Sequence, residues 1–370
     1  MSAQPSLVAS QAPDAALAAL EALDDPSLQQ ELLQEVSRTF ALTIPQLPPP
    51  LRRTVSNAYL LCRTVDTIED EPHLAAADKR AWCERFHGVV SGQEAVEPFA
   101  EKLGAVLSAA TPAAEQRLVA LAPRVVAITR ALEPAERRAI ERCLDIMATG
   151  MAEFQNRDDR LGLPDMAALD RYCYVVAGVV GEMLTELFAV HDPAVAARRE
   201  PLLALAVRFG QGLQMTNILK DVWDDLPRGE CWLPRSVFKA AGVDLHRLDP
   251  DQPQPALVAP LNELLAVAHG HLAAALEYTL LIPARQQGIR NFCLWALGMA
   301  LLTLRRIATQ PDYRSGQQVK ISRRSVRMTA AACRATAGSD TALRLLFALL
   351  ARGLPPAADT PSIEHLGTTH

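Results

Sequence analysis

Two short stretches concentrate acidic residues at helical spacing: "RTVDTIEDEP", beginning at Arg63, and "NILKDVWDDLPRGECW", beginning at Asn217. In the first, Asp66, Glu69 and Asp70 stand at i, i+3 and i+4, which puts their carboxylates on one helix face. Arg63 and Tyr59 lie one and two turns upstream on that face. In the second, Asp221 and Asp225 are four apart, Asn217 and Gln214 continue the stripe backward, and Asp224 lies beside it. Like charges stacked in this way destabilise a helix by a few tenths of a kcal/mol per pair, so a compensating partner is expected. A solvated acidic face is one reading. Yet both stripes follow apolar helical sequence, "NAYLLC" and "GLQMTNIL", and polar groups on such faces need partners. Carboxylate oxygens at this density suit Mg²⁺, which takes one or two carboxylates and completes its shell with water and phosphate oxygens. Arg63, Lys220 and Arg228 supply cations for the same oxygens. The chemistry implied is metal-assisted departure of diphosphate. The carbocation left behind requires a dry, aromatic-lined cavity, and Tyr59, Tyr172, Phe40 and Phe292 are candidates to line it. Taken singly, each of these four reads first as ordinary core packing.

The elements that must position these residues are helices. Ala and Leu dominate the 370 residues, β-branched alternation is scarce, and apolar residues recur at helical period almost throughout. Helices are predicted over 28–40, 51–71, 77–90, 95–109, 113–130, 134–155, 165–190, 195–226, 256–280, 286–310 and 326–352. The breaker run "PQLPPP" separates the first two. No linker divides the chain, so the expected architecture is one all-α domain over 28–352 around an apolar cavity. An Ala-rich leader (1–27) precedes it and a flexible tail (353–370) follows.

A hydrophobic content of 49% excludes a disordered chain, and a net charge of -5 with no dominant basic face excludes nucleic acid as a partner. Seven scattered cysteines without a Cys-x-x-Cys pair argue against structural zinc and disulfides, and point to a cytoplasmic protein. The N-terminus lacks the early basic residues of a signal peptide. The longest apolar run, "FCLWALGMALLTL", has 13 residues, short of the roughly 20 of a membrane span. The protein is expected to be soluble, or at most peripheral to the inner face of a membrane. Nothing requires an oligomer, and a monomer is the working expectation.

These stretches resemble the squalene and phytoene synthases, head-to-head prenyltransferases of the all-α isoprenoid synthase fold. "DTIED" is similar to that family's first aspartate-rich motif and "DVWDD", preceded by "QMTNILK", to its second. "SRTFALTIPQLP" at 37–48 resembles an early segment that contacts diphosphate, and "YCYVVAGVVGEMLTELF" at 172–188 a helix whose tyrosine is catalytic. The resemblance runs from about residue 30 to 335. It implies two farnesyl diphosphates as substrates and Mg²⁺ held by Asp66, Glu69, Asp70, Asn217, Asp221 and Asp225. It assigns Ser37, Arg38, Phe40, Tyr59, Arg63, Gln214, Asn217, Lys220, Arg228 and Phe292 to substrate, and Tyr172 to proton transfer in forming a cyclopropyl intermediate. Two departures stand out. Lys220 occupies a place where many relatives have Arg, turning a bidentate phosphate grip into a point charge. Glu230 stands where an arginine is frequent, which leaves the role of Arg228 open.

The segment "YRSGQQVKISRRSVRMT" at 313–329 concentrates Arg314, Lys320, Arg323, Arg324 and Arg327 in an acidic chain. On charge alone it reads as a solvated loop or as a holder of cofactor phosphates. It resembles the Val-Lys-Ile segment of squalene synthases, which follows a helix opening Asn-Phe-Cys, here at Asn291. That likeness implies NADPH bound by Asn291, Lys320 and Arg323, and squalene as the product. The alternatives are a non-reducing relative making phytoene, dehydrosqualene or hydroxysqualene, and an inactive helical scaffold.

Overall fold

The computed structural model describes residues 11–37, 39–154, 162–249, 251–252 and 254–358. Helices account for nearly all of its regular structure. Among the described residues the only β pairing is an isolated parallel bridge, Leu163 to Pro234. Although the sequence offers no linker, the chain groups into two compact units. One comprises residues up to Ile44 with Pro49–Ala148; the other comprises Pro45–Pro48 with everything from Thr149 onward.

In the first unit the helix Pro49–Asp70 carries the first acidic stripe. A buried polar relay fixes its rotation. Gln29 Nε2 donates to Asn57 Oδ1 at 3.1 Å, and Asn57 Nδ2 donates to Thr129 Oγ1 at 2.6 Å and to the Val125 carbonyl at 3.1 Å. Helices Asp25–Val36, Pro49–Asp70 and Ala122–Arg130 are thereby joined. An amide buried this deeply would cost stability unless bonded at both ends, so the relay sets one register.

In the second unit the long helix Arg199–Asp225 carries the second stripe and packs on Val258–Leu281 and Val179–His191. Two glycines permit backbone-close approach: a side chain on Gly181 would run into the Ala206 carbonyl, and one on Gly210 into the Ala177 carbonyl. Directly opposite Gly210, residues Tyr174–Gly178 form a π-turn, splitting what the sequence presents as one regular helix. Arg290 is buried at 1% exposure and donates to the carbonyls of Leu280, Ile282 and Ala337 and to Asp340. It thus ties together the ends of four helical segments, with each of its three nitrogens bonded.

Two expectations change. Counting uninterrupted apolar runs gives no membrane-length segment. Yet the helices Met166–His191, Pro255–Leu281 and Gln287–Thr309 are long and apolar enough to cross a membrane, with 56%, 72% and 72% of their apolar windows buried within the protein. Their apolar surface is used in packing. The tail is also not loose from 353: the Ala358 amide donates to the Ala266 carbonyl at 2.9 Å, and the His269 ring meets the Pro355 carbonyl at 2.8 Å. Residues 359–370 and 1–10 lie outside the described part, while Gln11–Glu21 of the leader is helical.

Candidate active site

In the first unit, Arg63 organises the acidic face. Its guanidinium lies 3.7 Å from Asp66 and bonds Glu115 on the helix Ala113–Ala120. Glu115 also accepts from Thr67 Oγ1 at 3.2 Å. Burial opposes the charge on Arg63, but Asp66 and Glu115 outweigh it and raise its pKa. Asp66 shows the opposite balance. Its side chain keeps 34% exposure, yet desolvation pushes its pKa up to about 7; Arg63 counteracts this, and Asp70 and Glu115 add to it. Glu69 is half-buried, with its carbonyl accepting from Lys79, and Asp70 is exposed. The neighbouring Glu71, at 1% exposure, faces away into structure. Burial works to raise its pKa, but bonds from Thr111, from Ser108 and from the His73 amide bring it down to about 2.

Beside this face lies the early segment. Ser37 is buried and its Oγ accepts from the Phe40 amide at 3.0 Å. The Phe40 and Tyr59 rings are 4.9 Å apart, and Tyr59 has its pKa raised, chiefly by burial. Ser37, Phe40, Tyr59, Arg63 and Asp66 therefore form one constellation, as their motifs suggest. Arg38 lies outside the described residues.

In the second unit, Asp221 and Asp225 each stand beside a cation. Lys220 Nζ is 3.0 Å from Asp221 and 3.4 Å from Asn217 Oδ1, and Arg228 donates to Asp225 at 2.6 Å. Glu230 lies 3.7 Å from the same Arg228, so Glu230 and Asp225 share that guanidinium. Asp225 is 8% exposed, and burial raises its pKa to about 7; Arg228 opposes the rise, while Asp221, Glu230 and Asp224 add to it. Gln214 is half-buried one turn above Asn217, and Asn217 is exposed. Among the described residues no three acidic, His or Cys side chains converge to enclose a metal by themselves.

Tyr172 is buried at 7% and sandwiched by aromatics. Its ring stacks on Trp232 at 4.0 Å and 7°, and meets Phe154 edge-on at 5.3 Å. Phe292 packs edge-on against Phe188 at 6.0 Å in the core. Asn291 is buried, whereas Lys320 and Arg323 are exposed, so the three do not form one surface patch. The basic segment instead clings to the second acidic helix. The Tyr313 hydroxyl donates to the Leu219 carbonyl, the Gly316 amide donates to Asp224 at 3.1 Å, and the Arg314 guanidinium sits 5.1 Å from the Trp223 ring centre.

Sequence reasoning missed Glu115, Trp232, Phe154 and the contact of Asp224 with Gly316. Trp232 ends the second quoted stretch, and its closeness to that motif was the available signal; the others are tertiary neighbours with no local signature.

The helical architecture is the isoprenoid synthase fold. It aligns with the complex of TcSQS with a ligand at a TM-score of 0.73 and 24% identity, covering 89% of this chain and 91% of that one. A ligand complex of a dehydrosqualene synthase aligns at 0.60 and 19%, covering 87% and 98%. The chain belongs to the squalene/phytoene synthase family, whose pattern it matches over residues 33–325. Squalene synthase BSS of Botryococcus braunii is 31% identical over 288 residues, or 76% of this chain and 58% of that protein. The chain spans about three fifths of the length of the curated relatives it matches.

Proposed function

We propose that this protein is a squalene synthase, condensing two farnesyl diphosphates into a cyclopropyl diphosphate and reducing that intermediate to squalene with NADPH. The observation that carries the reading is the pairing of carboxylate with cation on both acidic faces, Arg63 with Asp66 and Lys220 with Asp221, in a chain of this family. The donor set fits Mg²⁺: hard oxygens, with Asp66 and Asp221 at 34% and 35% exposure and open to a ligand. Asp66, Glu69, Asp70, Asn217, Asp221 and Asp225 would hold the ions, which supply positive charge as diphosphate leaves.

The chain's own groups do the rest. Arg63, Lys220 and Arg228 bond phosphate oxygens directly and neutralise the leaving charge. Ser37, Tyr59 and Gln214 orient the diphosphate and its chain. The Tyr172 hydroxyl relays the proton lost as the cyclopropane ring closes, passing its own proton to the departing diphosphate as it takes up another, and the Trp232 stack holds its ring in one orientation. Buried aromatic faces stabilise the passing cations and exclude water. Lys320 and Arg323 are exposed cations suited to the phosphates of NADPH, which supplies the hydride. The squalene synthases among the relatives favour reduction over its non-reducing alternatives. The test is incubation with farnesyl diphosphate and Mg²⁺, with and without NADPH, followed by product analysis. Squalene only with NADPH is expected. The same hydrocarbon in both tubes would assign a non-reducing synthase, and no diphosphate release would end the reading.

A further inference from the structure

The basic segment touches the second acidic helix at three successive places. Tyr313, fully buried, donates from its hydroxyl to the Leu219 carbonyl; Arg314 covers the Trp223 ring; Gly316 donates its amide to Asp224. Gly316 starts the one-turn helix Gly316–Val319, and Val319 is fully buried, so Lys320 projects from a base anchored on both sides. The fit at Gly316 leaves no space: a Cβ there would stand 2.8 Å from an oxygen of Asp221 and 2.8 Å from one of Asp224. Asp224, beside the stripe, thus differs from Asp221 and Asp225 within it. Asp221 and Asp225 are each met by a side-chain cation, whereas Asp224 accepts a backbone amide from a segment 92 residues away.

We infer that Asp224, Gly316 and Tyr313 form a clasp that positions Lys320 and Arg323 for the reductant, so that Asp224 serves the reduction and not the departure of diphosphate. The inference rests on the squalene synthase reading. Its logic is mechanical. A short loop bearing two exposed cations would otherwise sample many positions, and ordering it on binding would weaken affinity. Pinning its root to the acidic helix removes that cost, and gives reductant and leaving group one common support. The clasp is made of positioning residues: none is required to touch substrate or cofactor.

The test uses the whole protein. NADPH binding is followed by its fluorescence without turnover, diphosphate release is followed without NADPH, and backbone amide exchange is followed across 313–320. Asp224→Ala and Tyr313→Phe should each weaken NADPH binding about tenfold, equivalent to about 1.4 kcal/mol. Both should speed exchange across 313–320 and leave diphosphate release within about twofold of wild type, the uncertainty usual for a site off the reaction path. Asp224→Asn keeps an acceptor oxygen and should restore most of the affinity. Gly316→Ala should instead impair both half-reactions, because its methyl meets Asp221 as well. Equal loss of both half-reactions in Asp224→Ala would make Asp224 part of the diphosphate site and overturn the inference. Unchanged NADPH affinity with wild-type exchange would overturn it too. A wild type that binds no NADPH refutes the squalene synthase reading and the clasp's role in reduction together, while the exchange data still report whether the clasp itself exists.

Discussion

Glu115 offers the sharpest test of how the first acidic face is built. It is 6% exposed and binds Arg63 through one oxygen and Thr67 through the other. Glu115→Ala removes an ion-paired bond to Arg63 of about 1.5–3 kcal/mol and a longer bond from the Thr67 hydroxyl of about 0.5–1.5 kcal/mol. Stranding one partner of a fully buried pair costs about 3–5 kcal/mol. Here Asp66 remains at 3.7 Å and a quarter of the Arg63 side chain reaches solvent, so the lower end applies. A loss of about 3 kcal/mol corresponds to a fall in Tm of about 4 °C for a protein of 370 residues. Glu115→Gln keeps the Thr67 acceptor and should lose about half as much. With its outer tether gone, Arg63 collapses toward Asp66, and the KM for farnesyl diphosphate should rise at least fivefold, about 1 kcal/mol of lost binding. Calorimetry and steady-state kinetics on both variants suffice. Should Glu115→Ala melt within 1 °C of wild type (~0.8 kcal/mol) with an unchanged KM, then Glu115 does not organise this face.

Asp66→Asn should abolish turnover while leaving the fold intact. Because the Asp66 pKa is raised to about 7 by burial, with Asp70 and Glu115 adding to it, its charged form weakens the fold as pH climbs through that value. The variant's Tm without Mg²⁺ should therefore match wild type near pH 4 and exceed it near pH 8, and a lower Tm at pH 8 would refute this. Asp221→Asn should likewise abolish turnover, read as diphosphate release at saturating Mg²⁺. Tyr172→Phe should bind substrate normally yet lose about 10²–10⁴-fold in formation of the cyclopropyl intermediate, measured by single turnover; a loss under tenfold would return Tyr172 to a packing role. Glu71, held at about 2 by its hydrogen bonds against the effect of burial, contributes stability that is present above the ordinary carboxylate range and lost as pH falls through 2. Glu71→Gln should flatten the decline of Tm between pH 4.5 and 2, and parallel curves would contradict it.

Long periodic helices were legible from sequence because burial of one face is written into residue order. The expected 51–71 and 286–310 correspond to Pro49–Asp70 and Gln287–Thr309. Breaks were harder. The expected 113–130 is interrupted at Leu121, where Pro123 removes an amide early in the next helix. The expected 326–352 is two helices, because Ser339 accepts the Ala342 amide and caps a fresh start after Gly338. The short helix Arg235–Ala240 carries too few residues for any period to register. At the site, both carboxylate stripes could be read because their members are three or four residues apart. Glu115 and Gly316 could not, since they meet Arg63 and Asp224 across 52 and 92 residues. Asn291 shows the converse: a motif match located the residue, but burial separates it from the exposed Lys320.

The π-turn at Tyr174–Gly178 has a consequence for how this segment tolerates change in length. It holds one residue more than a regular turn, and that surplus sits between Tyr172 and the glycine-lined contact at Gly181. An α-helix advances about 100° per residue. Deleting Val176 would let the segment close into an unbroken α-helix with every backbone bond kept. The downstream half is clamped by Gly181 and Gly210 against neighbouring carbonyls, so the rotation would fall on the upstream half and swing Tyr172 off the Trp232 ring by about a quarter turn. The bulge works as a phase shifter. A one-residue deletion there should leave a well-folded protein whose Tyr172 points elsewhere, whereas the same deletion in the middle of Arg199–Asp225 would scramble a whole packed face.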